Sequence, residues 1–176
     1  MKKNIVVWTV AALVTLALPL AAEAQSAVAS LGASATIEAF LDVTQEEDLA
    51  FGTILPAAGS SVTPGAAPGA GQAVGRLRIK HNSTVAVSAA LPAGLSLAGF
   101  PDLPVSFSCG FSDAPAGALD GAASGCDAVA NRAGNGDGSM RVTYLQVGGS
   151  ILGTDTDDRA PGTYTGTLVF TVTAVY

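Results

Sequence analysis

Alternation of apolar and polar positions dominates the chain and predicts β-strands rather than helices. The alternation is clearest at the C-terminus, where one face carries mainly apolar residues: Tyr164, Gly166, Leu168, Phe170, Val172, Ala174 and Tyr176. Threonine dominates the other face, at Thr163, Thr165, Thr167, Thr171 and Thr173. This pattern predicts a half-buried strand from Thr163 to Tyr176.

The same period of two recurs in the middle of the chain. Residues 76–80 alternate basic and apolar side chains, and residues 85–87 repeat an apolar alternation, so we expect two antiparallel strands flanking a turn near Asn82. A further strand is predicted over residues 105–111, where every second residue is Val, Phe or Cys.

Another strand begins at Met140, and its apolar positions change face near Leu145, for which we expect a β-bulge. Between the strands lie segments rich in Gly, Pro, Ala and Asp, at residues 56–71, 113–125, 131–138 and 155–162. No window shows a helical apolar stripe. Many short strands separated by such turn-forming segments predict an all-β fold, namely an antiparallel β-sandwich in one domain.

The longest alternating stretch lies near the N-terminus, where every odd position from Ala27 to Val43 is apolar. It exceeds an ordinary strand. We therefore expect an arm at residues 25–32, with Gly32 as its joint, and a single sandwich domain at residues 33–176. Such an arm suits the groove of another molecule, and its candidate donor residues are Ala27, Ala29 and Leu31. The alternative is a first strand preceded by a disordered tail.

Residues 1–24 have the features of a signal peptide. Lys2 and Lys3 precede an apolar run from Ile5 to Leu20, and Ala22-Glu23-Ala24 supplies the small residues of a cleavage site. The alternative is an uncleaved anchor, although the run is short of the roughly 20 residues that span a bilayer. We expect export through the periplasm to the cell surface, with no membrane span after cleavage.

Export favours a disulfide, because the periplasm and the exterior are oxidising. The chain has two cysteines, so Cys109 and Cys126 form the expected pair. In the chain-entropy model a loop of this size stabilises the fold by about 3 kcal/mol.

Composition argues against several functional classes. The net charge is −6, which provides no basic surface for nucleic acid. One His and two Cys leave few ligands for a metal cluster and few partners for a catalytic nucleophile. We therefore expect no enzyme and no cofactor, with His81 at the surface.

Calcium is the one metal for which the sequence offers candidates. Asp155, Asp157 and Asp158 cluster in one loop, and residues 131–138 form a glycine-rich turn. Neither loop has the EF-hand spacing, and solvated turns account for both.

Four motifs carry a resemblance to a known family. They are Leu49-Ala-Phe-Gly-Thr-Ile54, Ala90-Leu-Pro92, Val147-Gly-Gly-Ser-Ile151 and the run from Ala160 to Thr173. With them the chain resembles a family of exported bacterial proteins of uncharacterised function with a fimbrial-type sandwich. It is similar, more loosely, to the spore coat protein U family, which includes the pilins of archaic chaperone–usher systems.

The resemblance implies an immunoglobulin-like, pilin-type sandwich that is completed by the N-terminal arm of the next subunit. The C-terminal strand, with Leu168, Phe170, Val172, Ala174 and Tyr176, would then border the acceptor groove. We expect a structural subunit of a pilus or fimbria-like filament, whose partners are copies of itself, a periplasmic chaperone and an outer-membrane usher. The alternatives are a monomeric secreted coat or binding module with a complete sandwich, and a calcium-dependent adhesive domain.

Overall fold

The fold is described by a computed structural model that covers residue 32 and residues 34–175. The strands are β1 (Leu41–Glu47), β2 (Ser60–Val62), β3 (Gly75–His81), β4 (Thr84–Ala90), β5 (Gly94–Leu95), β6 (Leu103–Pro104), β7 (Ser106–Ser112), β8 (Ser124–Gly125), β9 (Arg141–Ile151) and β10 (Val169–Val175). One 3₁₀ turn, Gly153–Asp155, follows β9. Over this part of the chain there is no helix long and apolar enough to cross a membrane. The predicted signal peptide, the arm apart from Gly32, and Tyr176 lie outside the described residues.

The strands form one large sheet and two small ones, and every pairing is antiparallel. The large sheet has the order β1-β3-β9-β7-β8, and β2 pairs with the end of β9 beyond β3. A second sheet consists of β10 and β4, and a third of β5 and β6. The central strand is therefore β9, which runs from Arg141 beside His81 to Ile151 beside Ser60.

The main core lies between the large sheet and the β10-β4 sheet. Its buried residues are Ile79, Val85, Val87, Cys109, Phe111, Cys126, Leu145 and Val147. From β10, Phe170 and Val172 pack against them, while the odd-numbered residues of β10 are exposed. A second cluster around Phe51 and Ile151 closes one end. The predicted all-β antiparallel sandwich is confirmed. On β10 the apolar face that the alternation predicted is the face that packs against the core.

The disulfide between Cys109 and Cys126 is also present, with both residues fully buried and their Cα atoms 4.8 Å apart. It joins β7 to the segment directly after β8. The bridge therefore ties the long irregular excursion that follows β7 to the core.

The segment around Asn82 differs from the prediction. We expected β3 and β4 to flank a turn as neighbouring strands, but β3 pairs with β1 and β9 while β4 pairs with β10. The turn instead carries the chain from one sheet to the other. This crossing buries His81, which we expected at the surface: its Nδ1 lies 2.5 Å from the Ser83 carbonyl oxygen and its Nε2 lies 3.3 Å from Thr143 Oγ1.

The bulge predicted near Leu145 is wrong. β9 pairs with β3 and β7 without any shift of register, and the irregularity lies in β1, between Gln45 and Glu47. The apolar residues that suggested a change of face do not belong to the core: Met140, just before β9, is 50% exposed, and Val142, on the outer face of β9, is 39% exposed. On the outer face Gln146 is buried, and its side chain accepts a hydrogen bond from the Gly65 N–H and donates to Ser112 Oγ.

The first strand begins later than predicted. We expected the home strand to begin at Ala33, but ladder pairing begins at Leu41, and most of the described residues before it are exposed. Asn82 holds this entry segment, because its Nδ2 donates to the Glu38 carbonyl oxygen and its Oδ1 accepts from the Phe40 N–H.

The last strand begins later than predicted, since β10 starts at Val169 and not at the expected Thr163. Its ladder with β4 begins at the pair Val169–Ala90. Pro92, which follows closely, has no N–H to donate to a ladder. Residues 163–168 therefore continue without β4 as a partner.

Candidate functional site

A groove of about 1190 Å³ lies along one open side of the sandwich. One bank consists of the end of β1 and residues 48–56, and the other consists of residues 159–168 and the start of β10 at Phe170. We call these the β1 bank and the β10 bank. The open side exists because β1 is the edge of the large sheet and β10 is the edge of the small one.

The interior of the groove is mainly apolar. It includes side chains from both core clusters, namely Leu49, Phe51, Leu77, Phe107, Leu168 and Phe170. These residues come from the inward faces of β3, β7 and β10, from Leu168 just before β10, and from the irregular segment after β1. A ligand that fits here must therefore present apolar side chains toward the sandwich core.

Both banks present backbone groups without a strand partner. In the described part of the chain, β10 pairs only with β4, and β1 pairs only with β3. Residues 163–168 make a single bridge, in which Thr165 exchanges backbone hydrogen bonds with Ser96. Open strand edges of this kind are templates for the addition of another strand.

Glycine keeps the β10 bank close to the domain beneath it. A Cβ atom at Gly166 would lie 2.9 Å from Leu95 Cδ2 and 3.3 Å from Pro92 Cγ. Leu95 Cδ2 is the end of a flexible side chain, so a side chain at position 166 would require Leu95 to move aside, and the glycine lets Leu95 and Pro92 pack closely under the bank.

The structure brings together part of the predicted acceptor set. Leu168 and Phe170 line the groove, whereas Val172 packs into the main core and Ala174 is half-buried further along β10. Tyr176 and the predicted donor residues Ala27, Ala29 and Leu31 lie outside the described residues.

The β1 bank was not predicted as part of a site. Residues 49–54 were singled out as a motif, but they form no regular strand, and Ala50 makes only an isolated bridge to Ala73. The feature of the sequence that could have indicated the β1 bank is the pair of apolar residues Leu49 and Phe51 directly after β1. Only the packing of both against the core clusters shows that they border a groove.

The candidate calcium loop does not form a recognisable metal site. Asp155 belongs to the 3₁₀ turn, and Asp157 and Asp158 follow it on exposed positions. Over residues 34–175 there is no group of three or more His, Cys, Asp or Glu side chains arranged to hold a metal ion.

The clearest electrostatic cluster lies away from the groove, on the excursion after β7. Asp113 accepts hydrogen bonds from Arg132 at 2.7 Å and from Arg141 at 2.9 Å, and Arg132 also pairs with Asp120. Chiefly the hydrogen bond from Arg132 lowers the pKa of Asp113 from its ordinary value of 3.8. The cluster fastens the excursion to the start of β9 and has a structural role.

Comparison with known proteins assigns the chain to one family. Residues 41–176 match the family described as Domain of unknown function (DUF4402), and the chain belongs to that family. The sequence matches no curated protein and no solved structure.

Proposed function

We propose that the protein is a structural subunit that polymerises head to tail, with the N-terminal arm of one copy filling the groove of the next. The observation that carries this proposal is an apolar groove between two strand edges that have no partner in residues 34–175. A donated strand would satisfy the backbone groups of a bank and cover the apolar interior in one step.

The sequence of the arm suits the groove. Its odd positions carry the apolar residues Ala27, Ala29 and Leu31, and its even positions carry Ser26, Val28 and Ser30. An extended strand directs every second side chain to the same side. The arm can therefore place this apolar face on the groove interior while Ser26 and Ser30 face solvent.

The segment that joins the arm to the domain and the loops that border the groove lie at opposite ends of β9, which favours a second copy as the acceptor. Asn82 holds Glu38 and Phe40 beside the Arg141 end of β9. The loops after Ile151, at the other end of β9, border the groove. The 11 residues of β9 correspond to a length of about 36 Å. A contact of this head-to-tail kind does not close on itself and generates a filament.

The resemblance to fimbrial-type sandwiches and to the spore coat protein U family supports the same function. On this proposal residues 1–24 direct export, and the filament assembles at the cell surface with no enzymatic activity. A periplasmic chaperone would cover the groove before assembly, and an outer-membrane usher would order the subunits.

The test is a binding measurement with a subunit that lacks residues 25–31. A labelled peptide of residues 25–37 should bind it with saturation, measured by fluorescence anisotropy, and should raise its unfolding temperature because the peptide binds only the folded state. The control peptide has Leu31→Asp and Ala29→Asp, which place carboxylates on the apolar face. Equal binding of both peptides, or no binding of either, would refute the proposal.

A further inference from the structure

Arg159 differs from the other arginines of the described chain. Arg76, Arg78, Arg132 and Arg141 all form ion pairs with carboxylates. Arg159 lines the groove and makes no ion pair within residues 34–175. Its Nε is buried without a hydrogen-bond partner, as are the Nε atoms of Arg78 and Arg132, but those two arginines have carboxylate partners. A partly buried guanidinium without a carboxylate partner is costly, so this site favours an anion.

The loop that carries Arg159 is held in place. Thr156 Oγ1 donates a hydrogen bond to the Gly153 carbonyl oxygen at 2.7 Å and approaches the Ala58 carbonyl oxygen at 3.3 Å. The backbone N–H of Arg159 donates a hydrogen bond to the Thr156 carbonyl oxygen. Arg159 therefore marks a defined end of the groove, next to the Ile151 end of β9, which we call the groove mouth. The half-buried Asp155 and the exposed Asp157 and Asp158 precede it in this loop without pairing to it.

The arm and its entry segment contain one charged residue. From Gln25 to Phe40 the only acidic side chain is Glu38, and there is no basic one. Glu38 is exposed, and its backbone is fastened by Asn82 at the Arg141 end of β9. Glu38 is therefore the one side chain between Gln25 and Phe40 that can pair with a cation.

We infer that Glu38 of one copy pairs with Arg159 of the next at the groove mouth. The inference rests on the proposed function. Within one copy Glu38 and Arg159 lie toward opposite ends of β9, so this pair requires a second copy. The donated strand then enters at the mouth and runs antiparallel to residues 160–170, with its N-terminus toward the far end of the groove.

Exposed apolar side chains lie both near the groove mouth and beside Glu38, and they support this contact. Near the mouth, Leu55 and Leu152 are 68% and 62% exposed, and their loops are joined by the Thr156 hydrogen bonds. Beside Glu38, Ile37 is 87% exposed and Phe40 is 46% exposed. If Glu38 reaches Arg159, these two apolar sets come together and lose contact with water.

The test is a charge exchange in full-length mature protein, followed by the rate of polymer formation. Arg159→Glu places two carboxylates together at the contact, and Glu38→Lys places two cations there, so each should slow polymerisation on the order of tenfold. A mixture of Glu38→Lys copies with Arg159→Glu copies should restore heterologous assembly. The matched control is Lys80→Glu, which makes the same charge change on the outer face of β3 and should leave the rate unchanged.

The failure of this inference is distinguishable from the failure of the proposed function. If wild-type polymer requires residues 25–31 but Arg159→Glu assembles as fast as Lys80→Glu, the pairing is wrong and strand donation stands. The pairing is also wrong if the mixed variants stay slow. If deletion of residues 25–31 leaves polymerisation unchanged, both proposals fail together.

Discussion

Removal of the disulfide should destabilise the protein by an amount that the structure sets. Cys109 and Cys126 are separated by 17 positions in the chain. In the chain-entropy model a closed loop of this size contributes about 3 kcal/mol to the free energy of unfolding. For a domain of this size that corresponds to a decrease of about 10 °C in the unfolding temperature.

The variant for this test is Cys109→Ala with Cys126→Ala, compared with oxidised and reduced wild type. The only Trp is Trp8, which the predicted cleavage removes, so urea unfolding is followed by far-ultraviolet circular dichroism. Reduced wild type and the double variant should lose similar stability, whereas the control Ser108→Ala, beside the bridge on β7, should change it by under about 0.5 kcal/mol. A loss below about 1 kcal/mol in both would refute the view that the bridge fastens the excursion to the core.

Three further predictions concern other parts of the sandwich. Gln146→Leu removes three hydrogen bonds that hold two loops on the outer face and should lower the unfolding free energy by about 2 kcal/mol, measured by urea unfolding. Asp113→Asn should cost a few tenths of a kcal/mol at neutral pH, because the carboxylate is half exposed. Since the folded-state pKa of Asp113 is lowered, its contribution is present above about pH 4 and is lost as the pH falls further, so the two proteins should converge in acid. Leu168→Asp should leave the subunit folded but abolish binding of the arm peptide, while Thr173→Asp, on the exposed face of β10 outside the groove, should retain it.

Each of these predictions has an outcome that contradicts it. An unchanged unfolding midpoint for Gln146→Leu would mean that the loops do not depend on this side chain. A difference between Asp113→Asn and wild type that persists in strong acid would show that the variant acts through packing. Equal peptide binding by Leu168→Asp and Thr173→Asp would remove Leu168 from the acceptor surface.

The strands were predictable where one face is buried and the other is solvated. On β10 the side chains of Phe170 and Val172 turn inward while Thr171 and Thr173 face solvent, as the alternation indicates. The same reasoning failed for the central strand β9, where it predicted a β-bulge near Leu145. Val142 and Tyr144 stand on its outer face, where Val142 is 39% exposed, whereas Leu145 and Val147 lie in the core on the inner face, so the sequence imitates a change of register.

The candidate site was predictable on one bank only. The resemblance to fimbrial-type sandwiches assigned Leu168 and Phe170 to the groove, and the alternation placed them on one face of the C-terminal segment. The β1 bank is irregular, and its part in the groove follows from long-range packing of Leu49 and Phe51, which no local pattern reports. The burial of His81 has the same origin, since it results from a crossing between sheets that the sequence does not encode locally.

The central claim is that copies of this chain join through a donated N-terminal strand. An SDS gel of the mature protein from its native cell surface, run unheated beside a boiled sample, tests this claim most directly. The account predicts a ladder that collapses to one band on boiling, and no ladder for the protein that lacks residues 25–31, because strand release must break a whole row of hydrogen bonds together. A single monomer band in both wild-type lanes, or a ladder that survives the deletion, would contradict it.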